Sequence, residues 1–351
     1  MEVIRMAKGK ELYRRPWAKW SLVALLVAVL LCLPLFIKGT YYRHIVIFTL
    51  MYVVLAQAWN LIGGYAGQIA LGNVVFFAIG AYTSSILTIR LDMSPWLGMW
   101  IGGGLAVLVS LALGFAVLRL KGHYFAMATI AFGEIMRTVF SNWRFVGGAQ
   151  GISLPIHSPS LYYMQWANKV PYYYIILTMA ILVTTLVARL DRSRFGFYAK
   201  AVKLDEVAAR NRGINSFILK QLAFALSSFI TAMIGSFYAQ YIMYISPSSV
   251  LLLVTSILIA VIPIVGGVGT VVGPILGAVF IFPLTEFLRA MFGGLAMGVN
   301  YILFGAAAIF VVMVEPNGFI ALIGRIRASF RGITGEKGVV EVEGAEHCEF
   351  K

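Results

Sequence analysis

Long apolar runs separated by short polar breaks dominate the pattern of this chain. Because a membrane-spanning helix needs about 20 mainly apolar residues, the pattern predicts about ten such helices. The predicted spans are residues 20–37, 45–62, 69–89, 95–118, 124–140, 172–190, 217–241, 250–265, 272–291 and 299–314. Two of these spans depart from a simple apolar helix. We expect 69–89 to be partly re-entrant, and 124–140 contains the charged residues Glu134 and Arg137. The fold class predicted is an all-α polytopic transmembrane helical bundle with about eight to ten spans.

Small residues recur four positions apart inside several of these runs. The pairs are Gly98 with Gly102, Gly235 with Ala239, and Gly273 with Gly277. Helices in lipid associate by close packing, which small residues permit, so these positions predict close helix crossings. The glycine-rich segments GGYAG (63–67) and GGVG (266–269) are only faintly alike, and we do not interpret them as a repeat.

Composition agrees with a chain solvated by lipid. Hydrophobic residues make up 60% of the 351, charged residues 12%, and the mean hydropathy is +0.88. A soluble domain carries roughly 25% charged residues. The net charge of +14 comes from basic residues clustered between apolar runs, without a continuous basic face. This placement is typical of the positive-inside rule and argues against nucleic-acid binding.

The basic residues also predict orientation. With a cytoplasmic N-terminus, the inner segments hold 21 Lys and Arg and the outer segments six. Both termini and the polar loop 191–216 are therefore predicted to be cytoplasmic, and the stretch 142–170 external. The chain divides into a basic segment 1–19, leading into a retained signal-anchor helix, a transmembrane domain 20–315 and a polar tail 316–351.

The sequence shows no sign of catalysis. It contains no phosphate-binding G-x-x-x-x-G-K-[ST] loop, no metal-ligand spacing and no nucleophile motif. We therefore predict a protein that is not an enzyme and that binds neither cofactor nor metal. Three acids lie in or beside spans: Glu134, Glu286 and Glu315. Glu134 and Arg137 share a helix face, either lining a translocation path or forming an ion pair near the interface.

The 191–216 loop contains a short capped helix. Asp205 is a predicted N-cap, Glu206 suits the positive helix end, and Gly213 is a natural terminator. Ala201, Leu204 and Ala208 are predicted to share one face. A helix of two turns cannot span a membrane, so it either presents a face to a soluble partner or belongs to a solvated basic loop.

Five segments together resemble LivM-type permease subunits of branched-chain amino acid ABC importers. They are GQIALGNVVFFAIGAYTSSIL, LKGHYFAMATIAFGEIMRTVF, GGAQGIS, the loop RSRFGFYAKAVKLDEVAARNRGINS with the helix after it, and GGVGTVVGPILGAVFIFPLTEFLR. The resemblance implies a multi-pass protein of the bacterial plasma (inner) membrane that forms half of a translocation pathway. It implies as partners a second permease in a heterodimer, two cytoplasmic subunits that bind and use ATP, and an extracytoplasmic binding protein. The expected cargo is a branched-chain or other small amino acid. One alternative is a related ABC importer whose cargo is urea or a short amide. The other is a secondary transporter coupled to an ion gradient.

The resemblance also assigns candidate residues. In the general importer motif, Glu-Ala-Ala is followed by three residues and Gly. Ala208, Ala209 and Gly213 match this motif, whereas Val207 takes the Glu position and the acid lies one residue earlier. Two further residues depart from the family pattern. Asn73 stands where the family has His, and Pro263, shortly before GGVG, is a proline that the family pattern lacks. The candidate ATPase-coupling residues are Asp205, Glu206, Ala208, Ala209 and Gly213, and the candidate pathway residues are Glu134, Arg137, Gln68 and Asn73.

Overall fold

The computed structural model describes residues 30–34, 39–120, 122–292, 305–306, 313 and 318–319. The predicted segment 1–19, most of spans 20–37 and 299–314, and nearly all of the tail 316–351 lie outside these residues. The helices are α1 (Thr40–Asn60), α2 (Asn73–Leu91), α3 (Pro95–Val117), α4 (His123–Asn142), α5 (Val170–Asp191), α6 (Arg194–Leu204), α7 (Glu206–Asn211), α8 (Ser216–Ile242), α9 (Pro247–Val250), α10 (Leu253–Gly266) and α11 (Gly273–Phe292). A π-helical turn, Leu61–Tyr65, continues α1.

Seven helical segments of the described chain are long and apolar enough to cross a membrane. They are Thr40–Tyr65, Asn73–Leu91, Pro95–Val117, Val170–Asp191, Ser216–Ile242, Pro247–Gly266 and Gly273–Met291. The all-α polytopic class is thereby confirmed, whereas the predicted count of about ten is not. Predicted span 124–140 does form a helix, α4, but its charged and polar residues keep it out of the apolar set.

Helices α1, α2, α3 and α8 form the core, and glycine permits their closest approaches. A Cβ atom at Gly235 of α8 would overlap the Phe77 carbonyl of α2, and one at Gly80 would overlap the Ala232 carbonyl. Ser236 Oγ donates to the Gly80 carbonyl at 2.9 Å across the same crossing. A Cβ at Gly102 of α3 would lie 3.1 Å from the Gly80 Cα. The predicted close crossings at Gly102 and Gly235 are thus present.

The stretch between α4 and α5 is tied to the far end of α8. It contains 3₁₀ turns at Arg144–Val146 and Gly148–Gln150 and a short strand, β1 (Ile152–Ser153). Strand β1 pairs antiparallel with β2 (Tyr244–Ile245), with Ile152 opposite Ile245. This pairing places the stretch at the end of the bundle opposite the 191–216 loop, because α8 runs from that loop to β2.

Candidate functional site

The 191–216 loop folds into two helices joined at Asp205. Helix α7 begins there because the Asp205 carboxylate accepts hydrogen bonds from the backbone N–H groups of Val207 (2.8 Å) and Ala208 (3.0 Å). It ends in a Schellman motif, in which Ile214 N–H donates to the Ala209 carbonyl at 3.1 Å and Gly213 takes a φ of +82°. The predicted N-cap and terminator of this short helix are confirmed.

Helix α6 was not predicted as a separate element. Ala201 and Leu204 belong to α6, whereas Ala208 belongs to α7, and the extended backbone of Asp205 divides the two helices. The prediction that these three residues share one face of one helix is therefore wrong. The break is a direct consequence of the cap, because an N-cap residue adopts extended rather than helical backbone angles.

Glu206 fastens α7 to the start of α8. Its carboxylate accepts hydrogen bonds from Lys220 Nζ at 2.8 Å, from Ser216 Oγ at 2.8 Å and from Arg210 Nη2 at 3.1 Å. Only 5% of the Lys220 side chain is exposed. Burial favours a raised pKa for Glu206, but the hydrogen bonds from Lys220 and Ser216 outweigh it and hold that pKa below its ordinary value.

Several apolar side chains of the same loop are exposed, and two of them lie on either side of Asp205. Leu204, the last residue of α6, is 88% exposed, and Val207, in the first turn of α7, is 63% exposed. Val207 stands at the glutamate position of the importer motif that the sequence resembles, whereas the acid of this chain, Glu206, turns inward to Lys220. The loop thus combines an inner side that is held by hydrogen bonds with an outer side that exposes apolar side chains.

Lys203 connects the loop to the place where the two glycine-rich segments meet. Its Nζ donates to the Gly64 carbonyl in the π-helical turn at 2.9 Å. Partial burial and the neighbouring Lys200 lower the pKa of Lys203. A Cβ at Gly269 would lie 3.0 Å from the same Gly64 carbonyl oxygen. Sequence reasoning did not place Lys203 in any site, and no local pattern marks it.

Asn60 joins the two glycine-rich segments directly. Its side-chain oxygen accepts from Gly269 N–H at 2.8 Å, and its amide nitrogen donates to the Thr270 carbonyl at 2.8 Å. One turn earlier in α1, Gln57 Nε2 donates to the Val271 carbonyl at 2.7 Å. The end of α1 and the link between α10 and α11 are therefore held together by side-chain amides.

The structure does not bring the four candidate pathway residues together. Glu134 and Arg137 form an ion pair of 2.8 Å on the outer face of α4, with both side chains about half exposed. Gln68 and Asn73 are buried before and at the start of α2. Among the described residues, no hydrogen bond or ion pair connects these two sets. The Asn73 amide and Gln68 Oε1 lack hydrogen-bond partners in the described structure.

Comparison with known proteins shows that the chain is similar to members of one transport family. The family model described as "Branched-chain amino acid transport system / permease component" matches residues 41–313. The chain is 28% identical over 328 residues to the high-affinity branched-chain amino acid transport system permease protein LivM of Escherichia coli K12, covering 87% of this chain and 75% of the relative. It is 27% identical over 298 residues to the LivM protein of Salmonella typhimurium, covering 78% and 68%. A probable LivM protein of Methanocaldococcus jannaschii is 24% identical over 317 residues, covering 77% and 90%. No solved structure matches the chain.

Proposed function

The chain belongs to the permease family of branched-chain amino acid transport systems, and on that premise we propose that it forms half of the translocation pathway of an ABC importer. A second permease subunit supplies the other half, two cytoplasmic subunits hydrolyse ATP, and an extracytoplasmic binding protein delivers the amino acid. The names of the relatives support a branched-chain cargo over urea or short amides. The proposed orientation keeps both termini and the 191–216 loop in the cytoplasm.

The outer side of the 191–216 loop carries this proposal. Two exposed apolar side chains, Leu204 and Val207, flank the N-cap of α7 on a loop whose helices are too short to span the bilayer, and Phe197 of α6 is also exposed. Burying one such side chain contributes about 1.5–3 kcal/mol. We assign them to contact with an ATP-hydrolysing subunit, with Asp205, Ala208, Ala209 and Gly213 shaping the helix that presents them.

The inner side of the loop provides the mechanical connection. Glu206 fixes α7 to Lys220 of α8, and Lys203 fixes α6 to the π-helical turn of α1. A displacement of the loop by the ATPase is thereby transmitted to α8 and to the junction of the two glycine-rich segments. Helices interrupted by glycine or by a π-turn are the places where a bundle bends at least cost.

The outer face of α4 suits a pathway or a subunit interface better than lipid. A charge at the centre of a span costs roughly 2.5–3.5 kcal/mol on insertion scales. Apart from Phe125, Thr129 and Phe140, the residues of α4 are not buried within this chain. Glu134 and Arg137 therefore lie where a second permease or the water of the pathway covers them. Glu286, in the candidate span formed by α11, is also paired, with Arg289 at 3.2 Å, so neither glutamate is the unpaired carboxylate that would favour an ion-coupled carrier.

Copurification tests the ATPase assignment. We expect tagged wild-type protein to retain two ATP-binding subunits, and Leu204→Asp to weaken their binding roughly 10- to 100-fold, the equivalent of one buried leucine. Ile156→Asp is the matched control, because Ile156 is 90% exposed in the predicted external stretch. Equal retention of the ATPases by Leu204→Asp and the control would contradict the assignment.

Lys203 allows a separate test of transmission. Lys203→Met keeps the aliphatic stem but removes the donor to the Gly64 carbonyl, so ATP hydrolysis should continue while amino acid uptake per ATP falls. Lys203→Arg keeps a donor and should retain more of the uptake. Measurement in reconstituted vesicles distinguishes the two variants. Uptake per ATP unchanged in Lys203→Met would exclude Lys203 from transmission.

A further inference from the structure

A basic cavity opens beside α7 on the loop side of the bundle. Its volume is about 420 Å³, within the range of roughly 300–1,000 Å³ that is usual for small-molecule sites. Three cationic side chains and one carboxylate are among its lining residues, which are Leu118, Arg119, Glu206, Arg210, Ser216, Phe217 and Lys220. The cavity therefore favours an anionic occupant.

Arg119 supplies a positive charge that the described part of the chain does not neutralise. Lys220 and Arg210 both form ion pairs with Glu206, so a single carboxylate is shared by two of the three cations. Arg119 instead lies over the Phe115 ring, with its guanidinium carbon 4.8 Å from the ring centroid. Within the described part of the chain, no carboxylate pairs with Arg119. A guanidinium in this position is free to make the bidentate contacts that it forms with phosphate.

An exposed apolar stripe runs along α3 and ends at this cavity. Its members recur every three or four residues, which places them on one side of the helix. They are Leu97, Ile101, Leu105, Leu108, Leu111 and Phe115, all exposed. Phe115 packs edge-on against Phe217, which lines the cavity, with ring centroids 6.3 Å apart. A molecule with its charged end in the cavity can thus lay an apolar chain against α3.

We propose that this cavity binds the phosphate headgroup of an anionic phospholipid, with the acyl chains along the α3 stripe. The lipid comes from the leaflet on the side of the 191–216 loop, which is the cytoplasmic leaflet in the proposed orientation. Basic pockets beside transmembrane helices on that side commonly hold such headgroups. Inorganic phosphate shares the charge but has no chain for the stripe. An acidic side chain of a partner protein is the alternative that the experiment must separate.

Lipid binding can be measured on the purified full-length protein with its copurifying subunits. Phosphatidylglycerol or phosphatidylcholine is added at equal concentration, and bound lipid is counted by native mass spectrometry. We expect phosphatidylglycerol to be preferred and Arg119→Gln to lower its occupancy about fivefold, the usual contribution of one cation near anionic lipid. Arg192→Gln removes the same charge from an exposed position of the same loop outside the cavity, and its lipid occupancy should equal that of the wild type.

Three results would overturn the proposal. One is equal phosphatidylglycerol occupancy in Arg119→Gln and Arg192→Gln. Another is displacement of the lipid by inorganic phosphate at the same concentration, which would show that the acyl chains contribute nothing. The third is unchanged lipid with loss of an ATP-binding subunit in Arg119→Gln, which would assign the cavity to a protein partner. If Arg119→Gln does not fold, Arg119→Lys and a salt titration replace it, because an ionic headgroup contact must weaken as salt rises.

Discussion

Among the described residues, Glu206 supplies the carboxylate that contacts Lys220, and replacing Glu206 by Gln removes it. The lysine side chain is 5% exposed and the glutamate side chain 24%, and their charged atoms are 2.8 Å apart. Gln keeps the size of the side chain and one oxygen acceptor but not the charge. Lys220 then remains buried without a counter-ion, while Arg210, whose side chain is 68% exposed, is solvated by water.

The expected loss of stability follows from this geometry. Removing one member of a fully buried ion pair costs about 3–5 kcal/mol. Water reaches part of Glu206, and the amide oxygen still accepts one hydrogen bond, so we expect roughly 1.5–3 kcal/mol, the range for a hydrogen bond to a charged group. Lys220→Met in the same background should recover part of this loss, because the uncompensated charge is then gone. The coupling energy of the pair should be on the order of 1 kcal/mol or more.

The free energy of unfolding can be measured for the full chain in micelles by titration with a denaturing detergent. Asp191→Asn is the matched control, because it removes a loop carboxylate whose partner, Lys200, is 47% exposed. Such a surface pair contributes about 0–1 kcal/mol. A Glu206→Gln loss no larger than that of Asp191→Asn, or strictly additive losses in Glu206→Gln with Lys220→Met, would refute the reasoning.

The pH dependence of the free energy of unfolding provides an independent test of the Glu206–Lys220 pair. The folded pKa of Glu206 lies below its ordinary value, so its stabilising contribution is complete above the unfolded glutamate pKa of about 4.3. It is lost as the pH falls through the folded pKa. Wild type should therefore lose more stability than Glu206→Gln on acidification from about pH 5 to pH 3, and parallel curves would contradict the assignment.

Three further results are expected. Gly235→Ala should destabilise the protein by about 1–3 kcal/mol because its Cβ overlaps a carbonyl of α2, whereas Gly104→Ala, with open space around it, should stabilise α3 by up to about 1 kcal/mol in the same unfolding assay. A membrane-impermeant thiol reagent should label Ser158→Cys but not Asn211→Cys in intact cells, and the reverse would invert the proposed orientation. Glu134→Gln should lower the yield of complex if its ion pair is structural, and change uptake at constant yield if the pair lines the pathway; purification followed by vesicle uptake separates the two.

Local rules explain which parts of the site the sequence predicted. The caps of α7 depend on Asp205 and Gly213. Their hydrogen bonds join residues that are close in sequence, so residue type and spacing were sufficient to predict both caps. The Glu206–Lys220 pair was not predicted, because it joins residues 14 apart whose approach depends on how α7 turns back onto α8. Lys203 and Gly64 are 139 residues apart, and a lone basic residue in a basic loop gives no signal for such a contact.

Physical reasons also explain which of the predicted spans the described helices support. The length of the apolar runs was sufficient to identify the helices of the seven candidate spans, because a helix that contacts lipid or packs in the core has an apolar surface. Helix α4 was predicted as a span despite Glu134 and Arg137, and hydropathy does not support that prediction although the helix itself exists. Helix α6 was not separated from the polar loop because glycine and lysine residues interrupt the apolar pattern of its sequence, RFGFYAKAVKL.

The amide bridge between α1 and the α10–α11 link also has a consequence for how the chain is made. Asn60 and its partner Gly269 are separated by 209 residues, which a ribosome adding 5–20 residues per second covers in roughly 10–40 s. During that interval the nascent α1 carries the side-chain amides of Gln57 and Asn60, which are buried in the finished protein, without the backbone groups that they finally bind. Unsatisfied amides are costly in hydrocarbon. Helix α1 therefore cannot complete its final packing until the late segment 269–271 has been synthesised.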